Sequence, residues 1–262
     1  MCGIAGYCLT AESDLDRTLA AQALLAGIAE RGADAVGYAY RHGGETIVHK
    51  QRSGASALID RIEIAPAATQ VLLHVRDYTK GHPRIEANNH PIRHGTVVGV
   101  HNGIIFNDDE LIEQHGFERA EPEMTVDSEA IFALAEASGN DPHAFEQLNG
   151  SMATAWLDDR HVHTLFLARG VGRPLWLGTA DDEFLFASTK AALEVAERFL
   201  KLKLRKREVG EGTVAVVTEG VVVEKLRFKP DRDFEERTLP AVRAPQEAQL
   251  SLQRLAALAS IA

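Results

Sequence analysis

Met1-Cys2-Gly3-Ile4-Ala5-Gly6 opens the chain, and the reading of its second residue decides the fold. Methionine ahead of a small side chain is ordinarily trimmed, which would leave Cys2 as the N-terminus. One residue would then carry a thiol of reference pKa about 8.5 and an α-amine of about 7.7–8.0. An amine of that basicity can take the thiol proton directly or through one water, so nucleophile and base would share a residue. The plain alternative is a small, inert hydrophobe at the start of a strand.

Outward from this stretch the chain reads as strands in antiparallel series. Residues 2–9 are small and apolar, a buried strand. Ser13-Asp14-Leu15-Asp16 has the pattern of a capped helix start, and the helix runs to about residue 30. Arg31-Gly32 is placed to stop it as a C-cap. Residues 36–48 suit two strands around His42-Gly43-Gly44. Val71-Leu72-Leu73-His74-Val75 is a second buried strand, and a turn-rich stretch occupies 80–94. Residues 96–101 and 104–105 are strand-like on either side of Asn102-Gly103. Asp127-Ser128 begins a helix. Hairpin-spaced runs follow at 151–157, 161–168, 174–178 and 183–187, then a helix at 191–200 and a hairpin at 211–226 turning at Glu219-Gly220. This is not the alternation of a doubly wound fold. From 237 to 249 two prolines and no apolar period suggest a tail or linker. Leu250, Leu255, Leu258 and Ile261 have the spacing of a short docking helix, with a partly ordered tail the equal alternative.

The totals narrow the function classes. The chain has 262 residues and a net charge of −10. That charge argues against nucleic acid and acidic membranes, whose phosphates need a basic face. No apolar run approaches the ~20 residues of a membrane span. Two cysteines, Cys2 and Cys8, are too few for a disulfide framework and fit a reducing cytoplasm. Cys8 reads as core. None of the histidines is spaced as metal ligands on a helix, and His161 and His163 alternate as on a strand. No metal and no cofactor is expected.

Three further sites carry candidate chemistry, each with a structural alternative. Arg76, just past a buried strand, suits a carboxylate clamp or an ordinary surface position. Asn102-Gly103 is both a strong hairpin-turn signal and a pair of donors for an oxyanion. Asp127 or Ser128 is an ordinary helix N-cap.

Taken together and in this order, these segments resemble the class II glutamine amidotransferases, whose glutaminase domains are N-terminal-nucleophile hydrolases. The matching segments are Cys2-Gly3-Ile4-Ala5-Gly6, Arg31-Gly32-Ala33-Asp34-Ala35-Val36-Gly37, residues 74–83, Asn89-His90-Pro91, His101-Asn102-Gly103-Ile104-Ile105-Phe106-Asn107, and Asp127. Leu148-Asn149-Gly150-Ser151 and Phe186-Ala187-Ser188 match more weakly. The nearest likeness is to the glutaminase half of glucosamine-6-phosphate synthase, over about residues 2–226.

The resemblance implies an α+β fold: a four-layer αββα sandwich of two antiparallel sheets with helices outside. It implies a glutaminase domain over 2–230 and a tail over 231–262. Cys2 would attack the amide carbon of L-glutamine and form a γ-glutamyl thioester, with Asn102 and Gly103 holding the oxyanion. Arg76 would meet the substrate carboxylate and Asp127 its ammonium, with Thr79 also in the binding loop and Arg31 and Gly32 in support. Two departures stand out: Asp77 replaces an aromatic residue and Lys80 a histidine, which would alter how the covering loop closes. With only about 35 residues after the match, the ammonia acceptor is expected on a partner enzyme in trans. Homo-oligomerisation stays open. Two rival readings remain: a glutamine-binding regulatory module with little turnover alone, and an N-terminal-cysteine amidase acting on another amide.

Overall fold

The computed structural model describes residues 2–181, 183–234 and 242–260. Its strands are β1 (Gly3–Leu9), β2 (Ala35–His42), β3 (Glu45–Gln51), β4 (Gln70–Arg76), β5 (Ile92–His94), β6 (Val97–Ile105), β7 (Gly150–Asp158), β8 (Thr164–Arg169), β9 (Trp176–Ala180), β10 (Glu183–Ala187), β11 (Arg205–Glu208), β12 (Thr213–Thr218) and β13 (Val221–Arg227). The helices are α1 (Arg17–Ile28), α2 (Asp108–His115), α3 (Ser128–Ser138), α4 (Lys190–Leu200) and α5 (Pro245–Ala259).

Two sheets form. One has seven strands in the order β11-β9-β10-β1-β4-β2-β3, the other six in the order β13-β12-β8-β7-β6-β5. Every ladder between named strands is antiparallel. Side chains alternate along a strand, so each sheet has an inner and an outer face. The inner faces meet through Ile4, Cys8 and Leu72 of one sheet and Val98, Val100 and Leu167 of the other. The seven-stranded sheet's outer face packs on Leu24, Leu25 and Ile28 of α1, Leu193 of α4 and Leu255 of α5. Ile131, Phe132 and Leu134 of α3 cover the other sheet, around Trp156. The result is the expected αββα sandwich, and Cys8 is core, 1% exposed.

Several local expectations are corrected. Asp16, not Ser13, caps α1, accepting from the Leu19 N–H at 2.9 Å. Ser13 instead accepts from the Leu15 N–H and donates to Glu183. Gly32 is not a left-handed C-cap, because its φ of −179° is extended backbone. It is needed for space: a Cβ there would lie 2.4 Å from the Arg76 carbonyl carbon. Asn102-Gly103 is no turn, since β6 runs straight through it, pairing Asn102 with Ala153 and Gly103 with Met152. His161 and His163 lie in the turn before β8, not on a strand. Helix α2 was not anticipated. Residues 245–249, expected to be linker, are the first turn of α5, while 235–241 and Ile261 lie outside the described residues.

Candidate functional site

Cys2 sits half-buried at the head of β1, on the inward side shared with Ile4. Strand β4 lies beside it, pairing Gly3 with Val75 and Ile4 with His74, so Arg76 emerges next to Cys2. Two flanking segments grip Cys2. Arg31, 1% exposed, donates from Nε to the Cys2 carbonyl at 2.8 Å. The Cys2 Sγ donates to the Asp77 carbonyl at 3.5 Å. Two residues further on, Ser188 brackets Ile4: its Oγ accepts from the Ile4 N–H at 2.8 Å and its N–H donates to the Ile4 carbonyl. Burial pushes the Cys2 thiol above its ordinary value, and the Arg76 charge opposes that.

Cys2, Arg76, Tyr78, Thr79, Lys80 and Gly103 line one recess, which His90, His101, Val126, Asp127 and Ser128 complete. Every expected catalytic and binding residue lines it except Asn102. Asn102 shares the inward parity of Val98 and Val100 on β6 and is fully buried. Neither atom of its side-chain amide has a hydrogen-bond partner among the described residues. A buried amide ordinarily finds one, so these atoms are a donor and an acceptor awaiting a partner. Gly103 beside it adopts φ +154°, and a Cβ there would sit 1.9 Å from the Ser151 carbonyl oxygen. Only glycine fits.

Asp127 stands at the first position before α3 yet makes no capping bond. Its Oδ2 instead accepts from the Ile105 N–H at 2.7 Å, tying the head of α3 to the end of β6. Burial raises this carboxyl to about 6, against the pull of the Ile105 N–H and the charges of Arg76 and Lys80.

Arg76 is spoken for in this state. Its Nη1 donates to Asn89 Oδ1 at 3.3 Å and its Nη2 to the carbonyls of Lys80 (2.8 Å) and Gly81. The loop from Asp77 to Gly81 thus wraps around the guanidinium. That loop is fastened outside as well. Tyr78 N–H donates to Asp34 Oδ2 at 2.9 Å, and Lys80 Nζ reaches Asp108 at 2.7 Å and Asp109 at 2.8 Å.

Three buried histidines border the site. His74 and His90 stack with ring centroids 4.2 Å apart, and burial holds both well below the ordinary imidazole range. Burial likewise lowers His101 to about 3. All three are neutral at pH 7, so the positive charges lining the recess are those of Arg76 and Lys80. Sequence reasoning quoted these histidines as motif members but gave them no role. Tyr78 lies in the matching segment 74–83 but was given no role, Ser128 was read only as a helix N-cap, and nothing in the sequence signalled Val126. Among the described residues no cluster of histidine, cysteine or acidic side chains could hold a metal. No helix among them is long and apolar enough to cross a membrane. A separate cleft of about 450 Å³, bordered by Arg205, Arg207, Lys225 and Arg227, shares no lining residue with the recess.

Comparison with known proteins gives the chain's relatives. A model for a glutamine amidotransferase domain matches residues 79–195. A glutamine–fructose-6-phosphate aminotransferase (isomerizing) of Aliivibrio fischeri is 32% identical over 235 residues, covering 83% of this chain and 35% of that protein. The enzyme of the same description from Vibrio vulnificus is 30% identical over 255 residues, 90% of this chain and 39% of its own length. The chain therefore spans little more than a third of these relatives. Among solved structures, glutamine phosphoribosylpyrophosphate amidotransferase from B. subtilis superposes with a TM-score of 0.68 at 18% identity, covering 86% of this chain and 49% of that one. That likeness concerns the fold.

Proposed function

The chain belongs to the class II glutamine amidotransferase family, and on that premise we propose that it hydrolyses L-glutamine to L-glutamate and ammonia. The observation that carries the proposal is the convergence of Cys2, Gly103, Arg76 and Asp127, from four separate elements, on one recess. A cation and an anion lining the same recess suit the carboxylate and ammonium of a free amino acid.

The chemistry follows from the placement. The thiol of a trimmed Cys2 gives its proton to its own α-amine, and Sγ bonds to the amide carbon. The carbonyl electrons move onto oxygen, which the Asn102 amide and the Gly103 N–H receive. One such donor is worth about 10²–10³ in rate. The tetrahedral centre collapses, the C–N bond breaks, and the ammonium of Cys2 protonates the departing nitrogen. Water, deprotonated by the same amine, then cleaves the γ-glutamyl thioester and returns the free thiol. Asp127 needs no proton in this scheme, since its carboxylate holds the substrate ammonium. We assign the ammonia acceptor to a site outside residues 2–230, on a partner enzyme in trans. That most of the length of the aminotransferase relatives lies beyond the matched region supports a site outside residues 2–230.

The test is intact mass with a diazo-ketone glutamine analogue, together with ammonia release. We expect loss of one methionine, one adduct on Cys2, and no hydrolysis by Cys2→Ala, which should remain folded. An untrimmed Met1, or full hydrolysis by Cys2→Ala, would overturn the mechanism. A second reading, a glutamine-binding module with little turnover alone, has one observation in its favour: the Arg76 fork is held by the loop's own carbonyls. Calorimetric binding of glutamine without ammonia release would select it.

A further inference from the structure

The two departures from the family pattern, Asp77 and Lys80, are also the two side chains that tie the Arg76 loop to other elements. Lys80 reaches α2, as described above. Asp77 reaches the C-terminal segment: its Oδ2 accepts from Arg243 Nε at 3.0 Å. The backbone N–H groups of Arg243 and Ala244 both donate to the Glu30 carbonyl at 2.8 Å. One short stretch therefore holds both neighbours of the nucleophile. Glu30 precedes the Arg31 that fixes the Cys2 carbonyl, and Asp77 supplies the carbonyl that receives the Cys2 thiol.

The stretch is itself well anchored. Helix α5 follows it, with Leu255 and Ser251 fully buried against the body. The Glu247 carboxylate accepts from the Ser56 N–H at 2.9 Å and from its hydroxyl at 3.1 Å, and Arg254 pairs with Asp60 at 2.8 Å. Residues 242–260 thus form a strap whose far end is docked and whose near end bears on the active site.

We propose that Arg243 is a positioning residue: through Asp77 it sets where the Cys2 thiol and the head of the Arg76 loop stand, so that the docked C-terminal segment governs the reactivity of the nucleophile. The inference rests on the glutaminase reading. The Arg243–Asp77 pair is 40% and 21% exposed, and such pairs contribute little to stability. A purely structural role would therefore leave almost no trace, whereas a positioning role shows in kinetics.

The test compares Arg243→Ala, Asp77→Asn and their double variant with Arg254→Ala, which removes a docking contact of α5 that does not touch Asp77. We expect Arg243→Ala to lower kcat for glutamine roughly 10-fold, as a misplaced reacting group does. KM should change less, because Arg76 keeps its own anchors. Alkylation of Cys2 by iodoacetamide should become several-fold faster as the loop loosens, while buried Cys8 stays silent. Asp77→Asn should speed alkylation in the same direction, to a degree that also includes the loss of its own charge beside the Cys2 thiol, and adding Arg243→Ala to it should change nothing further. Arg254→Ala should leave kcat, KM and alkylation unchanged. Unaltered alkylation in Arg243→Ala, or equal effects from Arg254→Ala, would overturn the proposal. If the wild-type chain releases no ammonia, the glutaminase reading fails on its own, and the alkylation comparison still decides whether Arg243 positions Cys2.

Discussion

At Asp127 one carboxylate serves two opposed ends. Burial lifts its pKa from 3.8 to about 6, so the native state binds a proton there more tightly than the unfolded chain does. Stability must then fall as pH rises from about 4 through 6, and the ionised form costs up to about 3 kcal/mol above that. Yet the ionised form is the one that can hold the glutamine ammonium. Asp127→Asn, which keeps an acceptor for the Ile105 N–H, should therefore gain stability at pH 8 and lose that gain near pH 4, as read by urea midpoints. The same variant should raise KM for glutamine roughly 10²-fold, the scale of a lost charge-assisted contact. In the wild type KM should rise as pH drops below about 6, and in the variant that rise should vanish. A pH-independent wild-type KM would remove Asp127 from the substrate. Cys2, Arg76 and Asp127 were legible in the sequence because each sits in a local motif with an element boundary beside it. Arg243 was not, because its partner is 166 residues away and nothing in residues 242–244 resembles a site.

Among the elements, the close approach of two backbones decides more than any single bond. The short 3-10 turn at Ala29–Arg31 runs into Gly32, whose missing side chain lets the chain lie against the end of β4. Asp34 N–H then donates to the Arg76 carbonyl at 2.9 Å, which aligns the strand end carrying Arg76 with the segment that fixes Cys2. Gly32→Ala places a methyl 2.4 Å from the Arg76 carbonyl oxygen, and backbone cannot yield as a flexible side chain does. The change should cost about 1–3 kcal/mol by overpacking. It should also depress kcat by more than the stability loss explains, measured on the folded fraction at low denaturant. An unperturbed kcat would mean the contact serves only the fold. The strands and their antiparallel order were readable from apolar runs and hairpin spacing. The nature of Gly32 and of Asn102-Gly103 was not, since local turn chemistry looks the same whether glycine is wanted for its φ or for the space it leaves. Helix α2 escaped because Leu111 is its only buried apolar residue, too few to make a period. Helix α5 buries only Leu255 and Ser251, and its first turn reads as a proline-bearing linker.

Across the whole molecule, three of the four layers, both sheets and α3, are pinned at one corner by Asp158 and Asp159, at the end of β7. Arg41 of β2, in the other sheet, donates to Asp159 Oδ1 and to the Asp158 carbonyl, both at 3.0 Å. Arg93 and Thr46 also reach Asp159. The Asp158 side chain turns the opposite way, accepting from Asn140, just past α3, at 2.8 Å and from Arg160 at 2.6 Å. Asn140 in turn accepts from the indole N–H of Trp156 in the core of that layer. Burial alone would raise the Asp158 carboxyl, but the bonds from Arg160 and Asn140 outweigh it and hold the pKa at about 2. The folded value lies below the unfolded one, so this group's stabilisation is complete above about pH 4 and drains away as pH falls through 2. The sense is opposite to that of Asp127, so the two carboxylates oppose each other: one lowers stability from pH 4 to 6, the other lowers it below 4. Asp158→Asn should cost about 2 kcal/mol at neutral pH, consistent with the size of the shift. The gap to wild type should narrow steadily between pH 4 and pH 2. Urea midpoints of the two proteins at pH 7, 4, 3 and 2.5 decide it: parallel curves would mean that packing, not charge, holds this corner. Converging curves would mean that the junction of both sheets with α3 rests on an ionised carboxylate, and that acid opens the sandwich there, at the end of β7.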